Sequence, residues 1–92
     1  MSDTLRRTVT ICNVRGLHAR ASAKFVETGL DYQAEIFVSK DGETVSADSI
    51  MELLMLAASK GSNIDIICSG PQAEPALDAL VALVEAGFHE DD

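Results

Sequence analysis

Basic residues are scarce in this sequence: seven Lys and Arg stand against 15 Asp and Glu, for a formal charge of −8 and an isoelectric point near 4.5. A surface of that sign repels phosphate, which excludes general nucleic-acid binding. Cysteine is as scarce. Cys12 and Cys68 form no CxxC pattern, which excludes a disulfide framework or a zinc site. Their opposite strand parity also argues against a bond between them. The longest uninterrupted apolar run, residues 53–58, is far too short to cross a bilayer. No basic region leading into an apolar stretch reads as a signal peptide, so the sequence predicts a soluble, cytoplasmic protein. Internal repeats, linkers and low-complexity segments are missing. So are a glycine-rich nucleotide loop and a metal-binding carboxylate cluster, which argues against small-molecule turnover by this chain alone.

What is present suits one domain over residues 1–92. The hydrophobic fraction, 47%, is ordinary for a globular protein and too high for disorder. Charge is unevenly spread. Residues 1–26 hold five bases and one acid, a net +4, whereas residues 27–92 hold two bases and 14 acids, a net −12. A short basic stretch in an acidic protein points to an anion handled near the N-terminus.

The hydropathy pattern then supplies the elements. Residues 8–13 alternate as a strand, and Gly16 breaks the alternation before a helix from His18 to about Leu30. Ala19, Ala23, Val26 and Leu30 form its expected apolar face, with Phe25 beside them. Residues 33–39 alternate again, and Asp41-Gly42 turns into a return strand at 43–46. Ser49 and Glu52 have capping-box spacing at a second helix that Gly61 ends, with Ile50, Leu53, Leu54 and Ala57 as its apolar face. Residues 63–69 predict a fourth strand. Gly70-Pro71 leads into a last helix buried through Leu77, Leu80, Val81, Val84 and Phe88. Residues 1–6 and 89–92 read as loose ends. The order βαββαβα, with every strand half-buried, predicts an α+β two-layer open-faced sandwich: a four-stranded, mainly antiparallel sheet with three helices on one face.

The segment from Arg15 to Ser22 joins the first strand to the first helix and puts His18 at the helix start. Unpaired N–H groups and the positive helix end favour an anion there. Arg15 and Arg20 add guanidinium groups, and with the dipole they disfavour a charged imidazolium. Neutral imidazole has a free lone pair and can attack phosphorus. The phosphoryl product would then meet N–H groups and an arginine, both good partners for phosphate.

Gly16-Leu17-His18-Ala19-Arg20 resembles the active-site signature of the HPr family, the histidine-containing phosphocarriers of the bacterial phosphotransferase system. The resemblance covers the whole chain, including Ser49-Ile50-Met51, which looks like the family's regulatory serine segment. It implies phosphorylation of His18 through Nδ1, with Ala19, Arg20 and Arg15 holding the phosphoryl group. It further implies enzyme I as donor, a sugar-family or regulatory enzyme IIA as acceptor, phosphorylation of Ser49 by an HPr kinase/phosphorylase, and no cofactor. The family usually has proline after the arginine, where this chain has Ala21; alanine can adopt the same backbone. Variants of this kind look more like the nitrogen-related, proteobacterial regulatory branch. A monomer is expected.

Ser49 is also simply a good N-cap. A phosphate there would add about −1.5 to −2 charges at a helix start beside Asp48 and act by repelling acidic partners. Leu17, Lys24, Ile50, Met51 and Leu54 are the candidate partner surface, with Met55 as a further adaptable apolar side chain. Arg6, Arg7 and His89 read as incidental. Two other classes compete: a ferredoxin-like ligand-sensing module, which has no need of an arginine-flanked histidine, and a small hydrolase using Arg15 or Arg20 as an anion clamp with Asn13 placing a water.

Overall fold

A computed structural model describes residues 4–90. The elements are β1 (Thr4–Thr10), α1 (Ala19–Leu30), β2 (Glu35–Lys40), β3 (Glu43–Ser46), α2 (Ile50–Met55), β4 (Asn63–Ser69) and α3 (Ala73–Glu85), followed by a 3-10 turn at Gly87–His89. The four strands form one antiparallel sheet in the order β1-β4-β2-β3. This is the expected open-faced α+β sandwich. α3 packs on β1 and β4, and α1 lies beside both α2 and α3.

Strand alternation decides which side meets the helices. Val9, Ile64, Ile66, Cys68, Val38 and Val45 point into the core, while Thr8, Thr10, Asn63 and Asp65 face outward. The core is closed by Phe25 of α1, Leu53 of α2, and Leu80 and Val84 of α3. Burying each such side chain stabilises the fold by roughly 1.5–3 kcal/mol. Cys68 lies fully inside it, and burial pushes its thiol up to about 11.

Four expectations about the elements need correction. β1 begins at Thr4, not Thr8, because Thr4 to Arg7 pair with Ser69 to Ile66. Thr4, Leu5 and Arg6 are therefore part of the sheet and not a loose end; residues 1–3 lie outside the described residues. Arg6-Arg7 obscures the alternation, yet Arg6 bonds Asp65 across the outer face at 2.8 Å and Arg7 reaches Asp78 of α3 at 3.6 Å. Hydrogen bonds from Thr8 and Arg6 outweigh burial and hold the Asp65 carboxyl below its ordinary range.

The buried face of α1 is also displaced from the expected one. Ala21, Ser22, Phe25 and Gly29 face inward, and Leu30 is exposed. The small residues Ala21, Ser22 and Gly29, on either side of Phe25, let α1 settle against the sheet. A Cβ at Gly29 would lie 2.9 Å from Ile36 Cδ1. α2 stops at Met55, well short of Gly61, and buries Leu53 while Leu56 and Ala58 pack behind it. Ile50 and Ala57, expected on its apolar face, are exposed, and Leu54 is half-buried. Finally, Phe88 is fully buried but lies outside α3. Gly87, Phe88 and His89 all take positive φ (63°, 56° and 59°), which turns the chain back across the start of α1. Two such non-glycine residues cost on the order of 1–3 kcal/mol each, which the burial of Phe88 offsets in part. Among the described residues no helix is long and apolar enough to cross a membrane.

Candidate functional site

The loop from Ile11 to His18 is tied down before it reaches α1. Ile11 exchanges backbone bonds with Ser62 and Gly61 at 2.8 Å each, and Leu17 N–H donates to Ala58 O at 2.8 Å. Gly16 has φ +66°, and a Cβ there would meet Ala58 O at 2.5 Å and the Ser59 Cα at 2.8 Å. Only glycine fits where this loop crosses the segment after α2. Asn13 holds the turn from inside: its side-chain amide donates to Gly16 O at 2.8 Å, and Gly16 N–H donates to Asn13 O at 3.1 Å.

His18 is the N-cap of α1, with extended backbone angles (φ −79°, ψ −176°). The first intrahelical bond runs from Ser22 N–H to His18 O at 2.8 Å. The N–H groups of Ala19, Arg20 and Ala21 therefore precede the helical ladder and point out of its positive end. Arg20 N–H donates to His18 Nδ1 at 3.3 Å. Nδ1 is thus the acceptor and carries the lone pair, and the ring proton lies on Nε2. No acidic residue stands in the first turn of α1. Arg15 and Arg20 are exposed, and neither guanidinium is paired with a carboxylate among the described residues.

Nε2 faces the Glu90 carboxylate, which also accepts from the Asn13 amide at 3.0 Å. Glu90 was expected in a loose acidic tail; His89 and Glu90 instead continue an ordered turn, and residues 91–92 lie outside the described residues. Burial pushes the Glu90 carboxyl up, but hydrogen bonds from Asn13 and His18 and the charges of His18 and Lys24 outweigh it and hold it below its ordinary range. The positive surroundings expected for His18 are therefore answered by one acid. Nothing in the local sequence marks it, since 72 residues separate the pair.

The expected surface residues divide. Leu17 is only 4% exposed, and its side chain belongs to the core, not to a contact surface. Lys24 is half-buried, and its ammonium donates to Phe88 O at 2.6 Å, so it braces the C-terminal turn. Met51 (70% exposed) and Met55 (69%) lie one turn apart on α2 with Ile50 beside them, while Leu54 is half-buried. Ser49 caps α2 by accepting from Glu52 N–H at 3.3 Å, the first half of the expected capping box. Cys12 is exposed and Cys68 buried, and both thiols are free.

The family model described as the PTS HPr component phosphorylation site matches residues 5–86. The chain belongs to the HPr family. It is 45% identical over 89 residues to the phosphocarrier protein NPr of Klebsiella oxytoca, a match covering 96% of this chain and 99% of that protein. It is 42% identical over 88 residues to the phosphocarrier protein HPr of Cupriavidus necator, with the same two coverages. Its fold superposes on the crystal structure of HPr-C-His from Thermoanaerobacter tengcongensis with a TM-score of 0.91 at 39% identity, covering 96% of this chain and 99% of that one. Both NPr and HPr proteins are thus similar to it over nearly their whole length.

Proposed function

We propose that this chain is a phosphocarrier of the phosphotransferase system that takes a phosphoryl group on His18 Nδ1 from phospho-enzyme I and passes it to an enzyme IIA. The observation that carries this reading is the direction of the Nδ1 lone pair, toward the unfilled, acid-free N-terminus of α1. In the transfer, Nδ1 forms a bond to phosphorus as the bond from phosphorus to the donor breaks. The Arg20 N–H released from Nδ1 then donates to a phosphoryl oxygen. Ala19 N–H and the free guanidinium groups of Arg20 and Arg15 add donors to the same anion. Return transfer to enzyme IIA reverses these steps.

The carrier reading also accounts for the exposed apolar residues. Met51, Met55 and Ile50 form an adaptable face on α2 for docking more than one partner. A carrier that works stoichiometrically in the cytoplasm as a monomer needs no enzyme active site of its own. A hydrolase would need Asn13 to hold a water, but its side-chain N–H groups are taken by Gly16 O and Glu90, and its Oδ1 is buried. Ser49 is assigned a regulatory phosphorylation by an HPr kinase/phosphorylase, with the added charge repelling acidic partners at Ile50 and Met51.

Incubation with enzyme I and phosphoenolpyruvate tests the first assignment. An acid-labile phosphoryl adduct that disappears in His18→Ala is expected. An unmodified protein, or equal labelling of His18→Ala, overturns it. For Ser49, ATP-dependent and acid-stable labelling by the kinase is expected, and label retained in Ser49→Ala rejects the assignment.

A further inference from the structure

The C-terminal turn reaches the nucleophile through a chain of fixed contacts. Phe88 is fully buried, and Lys24 holds its carbonyl oxygen at 2.6 Å. His89 N–H bonds Ala86 O at 3.1 Å and Glu90 N–H bonds Gly87 O at 3.2 Å, which closes the turn. The Glu90 side chain is then only 9% exposed, with one carboxylate oxygen on the Asn13 amide and the other on His18 Nε2. Asn13 is itself buried and bound to Gly16 O. Both oxygens are therefore positioned by groups that cannot readily move away. His18 retains 23% exposure, so the ring is covered on one edge and open elsewhere.

We propose that Glu90 is a positioning residue for His18, holding the proton on Nε2 so that the lone pair stays on Nδ1, and pairing with the cation that phosphorylation creates. This rests on the His18 assignment and goes beyond it. The charge accounting is direct. A neutral ring with Nε2–H attacks phosphorus through Nδ1, no proton leaves, and the ring becomes a phosphoimidazolium. Its positive charge then faces a carboxylate already in place. In the neutral form of the ring, the one able to attack phosphorus, the same carboxylate meets only an N–H. The interaction is stronger after phosphorylation than before, so Glu90 favours the charged carrier. Lys24 from α1 is the neighbouring cation that moderates the carboxylate. Arg20 and Arg15 stand with the Nδ1 edge and the phosphoryl group.

The test has two readouts. Nitrogen-15 NMR of histidine-labelled, unphosphorylated protein at neutral pH is expected to show His18 protonated on Nε2 with a free Nδ1. In Glu90→Gln the charge is removed at constant shape, and the two nitrogen signals should move toward a mixture of tautomers. In the second readout, the ratio of phosphorylated to free carrier at fixed enzyme I and phosphoenolpyruvate should fall roughly tenfold in Glu90→Gln. Glu90→Asp should partly restore it, and an Asp91→Asn/Asp92→Asn variant should leave both readouts unchanged. Unaltered nitrogen signals and yield in Glu90→Gln, or an equal effect from the Asp91/Asp92 variant, overturns the proposal while the carrier function stands. Absence of any labelling on His18 in the parent chain overturns the carrier function, and the tautomer measurement then still decides the positioning role.

Discussion

α1 and α2 begin in nearly the same way and end up suited to different chemistry. Each is preceded by a residue in extended conformation, His18 or Ser49, whose side chain accepts a backbone N–H at 3.3 Å. The acceptor is an imidazole nitrogen in one and a hydroxyl in the other. The larger difference is electrostatic. α1 has 12 residues and no acid in its first turn, so its positive end is open to an anion. α2 has six residues, carries Glu52 in its first turn and follows Asp48. Similar capping therefore does not make equivalent sites. What distinguishes them is whether the sequence has already filled the helix end with negative charge.

The comparison can be broken most severely at Gly16, where the two regions touch. Gly16→Ala should cost about 2–3 kcal/mol, since the new Cβ collides with Ala58 O and Ser59 and the positive φ is lost to strain. Urea denaturation measures it, and a cost below 0.5 kcal/mol would show that the loops are not locked together. Ser49→Ala comes next. Loss of the cap should cost about 1 kcal/mol while leaving acceptance from enzyme I unchanged, because α1 is untouched. A comparable loss of phosphoryl acceptance would mean that the two helix starts act as one site. The smallest effect sharpens the electrostatic difference. The Glu90 carboxyl is held below its ordinary range, so its docking contributes fully above the unfolded value and is lost as pH falls through the lower folded one. Carbon-13 signals of Glu90 should therefore titrate below those of a free glutamate. A Glu90 midpoint at or above the free value would show that the turn is not docked.

Much of this was legible in the chain because periodicity reports neighbours in sequence. β2, β3, β4 and the cap at His18 follow from alternation, a tight turn and a glycine. The parts that were not legible depend on distant partners. Arg6 and Arg7 look disruptive until Asp65 and Asp78 are placed opposite them. The buried face of α1 is set by how closely Gly29 allows the helix to approach Ile36, and this outweighs the exposed Leu30. Leu17 reads as a surface contact in a motif of functional residues, yet the crossing at Ala58 turns it inward. Glu90 gives no local signal at all. An acidic terminus has the same appearance whether or not one of its carboxylates docks.

The strand order has a consequence for when His18, the proposed nucleophile, becomes oriented. β1, which leads into the histidine loop, is zipped to β4 through pairs such as Thr8 with Asp65 and Thr10 with Asn63. The loop is then clamped by Ser62, Gly61 and Ala58. A peptide of residues 13–22 holds the entire recognisable motif and none of these clamps. The oriented imidazole is thus a product of late, long-range closure, the slow kind of step in folding. Partially folded chains carry the motif without its oriented Nδ1.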